Sequence, residues 1–192
     1  MTSAGERSCA TRIVCSSALA AGSAPATLFR QLEALDGLQR ELKLDKSLPR
    51  TRGWAGSPDF LLELARHARS ARPQVVVECS SGASTVVLAR CMQLQGAGPV
   101  YSLEHDAAYA AQTRAELARH GLADWAQVID APLRAHPLQG ETWPWYATER
   151  LPAGLPIDML VIDGPPQATA THARYPAGPL LFPRLSPGAA VY

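Results

Sequence analysis

The sequence predicts a doubly wound α/β fold, a parallel sheet with helices on both faces, preceded by an N-terminal amphipathic helix. Three observations predict it. From Pro73 onward, short apolar runs alternate with segments of helical periodicity, the signature of strand–helix crossovers in a parallel sheet. The first run, Gln74–Cys79, is almost continuously apolar, as a central strand buried on both faces requires. The apolar runs also end on acidic residues, Glu78, Glu104, Asp130 and Asp163, and ligands in such sheets bind outside the carboxyl ends of the strands.

The elements follow in order. Residues 1–25 are rich in Ala, Ser, Gly and Thr and read as a flexible N-terminal segment. Arg7 and Arg12 precede a short apolar stretch there, but Ser and Gly dilute it below what a secretory signal needs. Residues 26–56 form a helix and its connector. Leu28, Leu32, Leu35, Leu38 and Leu42 recur at helical spacing, and Gly37 weakens the helix slightly. The main domain spans 57–192. Ser57 and Pro58 suit the N-cap and first helical position. Ser84–Gln95 is helical, Val100–Glu104 a second strand, and Asp106–His120 a helix opened by Asp106 and closed by Gly121. Trp125–Asp130 is a third strand. Residues 131–156 read as an irregular Pro- and Trp-rich connection. Ile157–Asp163 is a fourth strand, Tyr175–Leu185 a helix, and Gly188–Tyr192 begins a fifth strand.

Composition narrows the function classes. With 192 residues, one domain is expected. The net charge of +1 gives no footprint for nucleic acid or an anionic membrane. No run approaches the ~18 apolar residues of a membrane span. The four cysteines, Cys9, Cys15, Cys79 and Cys91, show no zinc-ligand spacing. This usage suits a reducing, cytoplasmic setting, and no metal site is assigned. By strand alternation Cys79 faces away from Glu78 and belongs to the core.

The segment QVVVECSSGAST runs from strand to helix through a turn of small residues. It fails the dinucleotide fingerprint, because Ser80 and Thr85 replace two of the three glycines around Gly82, and Glu78 would repel a pyrophosphate. It also lacks the Gly-Lys-Ser/Thr of a phosphate loop. A cofactor without phosphate and with a positive centre fits better, and S-adenosylmethionine carries both an ammonium and a sulfonium. Glu78 then attracts, while small residues let the backbone approach. Glu104 lies 22 residues beyond Gly82, where an acidic residue meets ribose hydroxyls. Asp130 closes the third strand, placed to accept from an adenine amino group.

ECSSGAST, SLEHD, IDAPL and LVIDGPP, in that order, resemble the class I S-adenosylmethionine-dependent methyltransferases, nearest a branch with small-molecule O-methyltransferase relatives. The resemblance runs from about Ser57 to Tyr192. It implies that Glu78, Ser80, Ser81 and Gly82 line the methionine end of the cofactor and that Ser84 and Thr85 open the following helix. It places Glu104 on the ribose, His105 beside the adenine, and Asp130 and Ala131 at the adenine edge. Asp163 would face the transferred methyl or the substrate as the catalytic residue. Ser80 departs from the family's E-x-G-x-G. The family also continues past the fifth strand into an acidic pair and two more strands, so the resemblance implies an unfinished sheet. Gly188–Tyr192 would then be an exposed edge or pair with another chain.

Other residues keep two readings. Trp143, Trp145 and Tyr146 either pin their connection onto the domain or wall a substrate pocket. Arg174 either holds an anionic substrate group or starts a solvated helix. His136 and His172 are assigned to the surface. The expectation is a methyltransferase domain acting on a small-molecule acceptor, with a homodimer as a possible assembly. A non-catalytic cofactor-binding or structural module is the alternative.

Overall fold

The computed structural model describes residues 12–13, 24–51, 53 and 55–192. Most of the segment 1–25, with Cys9 and Cys15, therefore lies outside the described residues. Among the described residues eight strands and five α-helices follow one another: β1 Arg12–Ile13, α1 Ala24–Leu42, α2 Pro58–Ala71, β2 Val76–Cys79, α3 Ala83–Gln95, β3 Val100–Glu104, α4 Ala107–Arg119, β4 Ala126–Asp130, β5 Leu133–Leu138, β6 Glu141–Tyr146, β7 Ile157–Ile162, α5 Ala177–Leu181 and β8 Leu185–Val191. The main sheet has the order β1-β8-β7-β2-β3-β4, and every pairing in it is parallel. Strand order reverses between β2 and β7. The ends of these two strands, at Cys79–Ser80 and Asp163–Gly164, therefore flank the crevice where doubly wound sheets take ligands.

Alternation along β2 divides the core. Val76 packs with Leu38, Leu42, Leu61, Leu64, Leu88 and Met92 on the side of α1, α2 and α3. Val77 and Cys79 pack on the opposite face with Leu103, Trp145, Tyr146, Leu160 and Leu181. Cys79 and Cys91 are free and buried. Burial pushes the Cys91 thiol up to about 12 and the Cys79 thiol higher still, so both behave as small hydrophobes. In α1 only the C-terminal half meets the core: Leu38 and Leu42 are buried, while Leu28 and Leu32 stay exposed. No helix among the described residues is long and apolar enough to cross a membrane.

Three expectations are corrected, and the start of α2 is as expected. Residues 131–156 are not irregular throughout, because β5 and β6 form an antiparallel hairpin outside the main sheet. Its two-residue turn, Gln139-Gly140, has both residues at positive φ, 52° and 85°, as hairpin twist favours. Pro137 and Pro144 disguise the strands. A two-stranded ribbon tolerates them because each strand keeps one edge free of ladder bonds. The expected helix Tyr175–Leu185 shrinks to the five residues of α5 and a following 3-10 turn, Phe182–Arg184, where Pro183 removes a helical donor. The edge at Gly188–Tyr192 is not left open: Arg12–Ile13 of β1 pairs with Ala190–Val191. Ser57 holds the N-cap position of α2 without a side-chain cap bond, its hydroxyl donating instead to Asp59.

Candidate functional site

The turn after β2 is built on two residues in the left-handed half of φ space, Ser80 at 145° and Gly82 at 146°. Gly82 takes this conformation freely. Ser80 takes it at a cost of about 1–3 kcal/mol, which explains why the family pattern has glycine there.

Glu78, expected to line the methionine end of the cofactor, is fully buried. Its Oε2 accepts from Thr85 Oγ1 at 2.7 Å and from Ser102 Oγ at 2.9 Å. Those hydroxyls draw the carboxylate inward, behind the turn. Thr85 Oγ1 in turn accepts from the Gly82 N–H at 3.0 Å, so the turn hangs on Glu78 through one hydroxyl. Among the described residues Glu78 Oε1 has no hydrogen-bond partner in good geometry, although the Ser84 hydroxyl is close enough to act on the carboxyl. Burial pushes the carboxyl up to about 7, against the opposing pull of the neighbouring hydroxyls.

Glu104, at the end of β3, is nearly buried. Its Oε2 accepts from Ser81 Oγ at 2.9 Å and its Oε1 from the Asp106 N–H at 2.9 Å. Ser81 Oγ also meets Thr113 Oγ1 of α4 at 3.0 Å. His105 Nδ1 lies 3.1 Å from Glu104 Oε1. Asp106 caps α4 by accepting from the N–H groups of Ala108 and Tyr109. The end of β4 lies next in register, Glu104 opposite Asp130, and Ala131 N donates to Glu104 O. Asp130 is half exposed and ion-paired to Arg114 at 2.9 Å.

Asp163 follows β7. Its Oδ1 lies 3.2 Å from Arg174 Nη2, which also donates to the Asp163 carbonyl at 2.6 Å. Burial raises the Asp163 carboxyl above the usual range, and Arg174 opposes that rise. Thus Glu78, Gly82 and Thr85 share one set of hydrogen bonds and Ser81 and Glu104 another, and both meet at the turn that also holds Ser80. Asp130 and Ala131 flank it on one side and Asp163 on the other. Ser84 is buried within the first turn of α3.

Ser102, Thr113, Arg114 and Gly164 escaped the sequence reading. Only Ser102 carried a signal: a polar residue in an apolar strand, on the same face as Glu104. Tyr146 is fully buried with an unpartnered hydroxyl, and its ring meets His105 edge-on at 5.8 Å. A Cβ on Gly164 would lie 2.3 Å from that hydroxyl and 3.0 Å from the Cys79 carbonyl oxygen. Gly164→Ala is therefore expected to lower stability by about 1–3 kcal/mol through overpacking. Tyr146→Phe in the same chain should recover part of that loss. Urea unfolding of the two single variants and the double variant checks the coupling, and strict additivity would refute it.

The hairpin aromatics divide between their two readings. Trp145 and Tyr146 are buried in the core, whereas Trp143 lines a cavity of about 350 Å³ with Leu138, Gln139, Glu141, His172 and Tyr175. A cavity of about 440 Å³ is lined by Gln167, His172, Ala173, Arg174 and Tyr175. His172 is thus a surface residue that faces both cavities, while His136 reaches across the hairpin to the Tyr146 carbonyl at 3.1 Å.

A parallel sheet that reverses at β2 and β7, with a small-residue turn and strand-end carboxylates at the crevice, defines a Rossmann-like domain of the class I methyltransferase kind. The family described as methyltransferase domain matches residues 77–192, and the chain belongs to it. Among solved structures, S-adenosylhomocysteine-bound PaMTH1 of Podospora anserina is 18% identical over 92% of this chain and 72% of its own, with a TM-score of 0.56. It shares the fold. Cofactor-bound Rv0187 from MTB is 29% identical over 73% of this chain and 53% of its own, with a TM-score of 0.44. The O-methyltransferase TomG of Streptomyces achromogenes, in complex with S-adenosylmethionine, is 23% identical over 84% and 63%, with a TM-score of 0.48. This chain spans about half the length of Rv0187. No curated protein matches it.

Proposed function

We propose that this chain binds S-adenosylmethionine at the turn after β2 and transfers its methyl group to a small-molecule acceptor. One observation carries the reading: carboxylates at the ends of β2, β3 and β7 surround a turn, Cys79–Thr85, that holds no lysine or arginine. Such a donor set suits a cationic ligand without phosphates and disfavours a pyrophosphate. Solved relatives bound to S-adenosylmethionine or S-adenosylhomocysteine support the same cofactor.

The residues divide the work. Glu104 keeps acceptor capacity beyond its bonds to Ser81 and Asp106, since an ionised carboxylate offers about four lone-pair sites, and would take the ribose hydroxyls. Ser80, Ser81 and Gly82 would line the methionine end, with Glu78 attracting its charge from behind the turn. His105, Asp130 and Ala131 would border the adenine. The cofactor, when bound, supplies an electrophilic methyl that an acceptor atom displaces in line. Asp163 would hold or remove the acceptor's proton, and the raised carboxyl makes it a better base than a solvated aspartate.

Calorimetry with S-adenosylmethionine, S-adenosylhomocysteine and NAD tests the reading. Binding of the first two and none of NAD is expected. NAD binding without S-adenosylhomocysteine binding would sink it.

A further inference from the structure

Arg174 ties two cavities to the crevice, because it lines the larger one and bonds to Asp163. The two share His172 and Tyr175, so they adjoin. At their junction Tyr175 packs against Trp143, ring centroids 4.8 Å apart and planes tilted by 42°. Tyr175 remains more than a third exposed, so one ring is open to a further partner. Arg174 lines the larger cavity and is half exposed. Nη2 alone makes both of its bonds to Asp163. Among the described residues the rest of the guanidinium makes no hydrogen bond, and a fork with five donors can serve two anions at once. The one acidic residue among the lining side chains, Glu141, belongs to the smaller cavity.

Resting on the methyltransferase reading, we infer that the acceptor is an aromatic molecule bearing an anionic substituent, its ring against Trp143 and Tyr175 and its anion on Arg174. Each half has a separate source in the structure. The ring pair offers flat apolar area at low entropic cost, and Arg174 offers the unshared donors. The volumes match one small ring system, near the lower end of the ~300–1,000 Å³ of ligand pockets. Arg174 acts here as a specificity-determining residue, and Asp163 remains the proton acceptor.

Binding to the protein saturated with S-adenosylhomocysteine tests this by calorimetry. The probes are 4-hydroxybenzoate, 4-hydroxyphenyl phosphate, 4-hydroxybenzyl alcohol and the aliphatic 4-hydroxybutyrate. At least one anionic aromatic should bind about tenfold or more tighter than both the neutral ring and the aliphatic acid. Comparison of the first two tells carboxylate from phosphate. Arg174→Gln should erase the preference for the anion and leave the neutral ring unchanged, while Arg174→Lys restores part of it. Trp143→Ala should weaken the aromatics and leave the aliphatic acid unchanged. Equal binding of charged and neutral rings, or a preference that survives Arg174→Gln, overturns the inference. The initial S-adenosylhomocysteine titration is read first. Its failure overturns the methyltransferase reading, whereas success there with no anionic preference overturns only the acceptor class.

Discussion

Glu104→Ala is expected to weaken S-adenosylhomocysteine binding by about 100-fold or more, the worth of two hydrogen bonds to a charged group. Two effects combine. The variant removes both oxygens proposed for the ribose. It also frees Ser81 Oγ and the Asp106 N–H, which Glu104 now holds at 2.9 Å each, so the turn and the start of α4 lose their common anchor. Glu104→Gln separates the two. It keeps one acceptor oxygen near the anchor while discarding the charge, and should lose only about tenfold. Calorimetry on both variants, with circular dichroism to show retained fold, reads the difference. Affinity for S-adenosylhomocysteine within a few-fold of the parent in Glu104→Ala would mean that the ribose is held elsewhere.

Glu78 makes the second large prediction, one of stability against pH. Its folded carboxyl titrates at about 7 against an ordinary 4.5. Between these values the native state holds a proton that the unfolded chain has lost. The stabilising term is thus complete below pH 4.5, declines as pH rises, and is gone above about 7. Its span between pH 5 and pH 8 is about 2–3 kcal/mol. Glu78→Gln cannot titrate, so its advantage over the parent in urea unfolding should grow by that amount from pH 5 to pH 8. A parallel pH slope in parent and variant would contradict the burial that the structure gives Glu78. A cationic cofactor favours the ionised carboxylate. Binding should therefore release protons near pH 7 and tighten between pH 6 and pH 8 in the parent but not in Glu78→Gln.

Most of the sheet was legible in the sequence because its strands obey one rule. Runs such as Val100–Glu104 and Ile157–Ile162 are mostly apolar and are separated by helices, so length and composition define them. The hairpin was illegible because Pro137 and Pro144 argue against strands and Gln139-Gly140 is not the usual turn pair. Of the candidate site, the acidic strand ends were readable from position alone. Their surroundings were not. Whether Glu78 faces a ligand or is buried depends on hydroxyls at Thr85 and Ser102, 7 and 24 residues away. No local pattern announces that Tyr146 would fill the space left by Gly164.

The hairpin also bears on how this domain diverges. Its ladder is closed on itself, and its turn residues Leu138, Gln139 and Glu141 line a cavity without entering the parallel sheet. Substitution or lengthening at that turn can therefore reshape one binding wall while the β2 turn, Glu78 and Glu104 stay as they are. On the proposed function, the wall facing the acceptor and the turn facing the cofactor are thus separate parts of the chain, and the first can change while the second is kept.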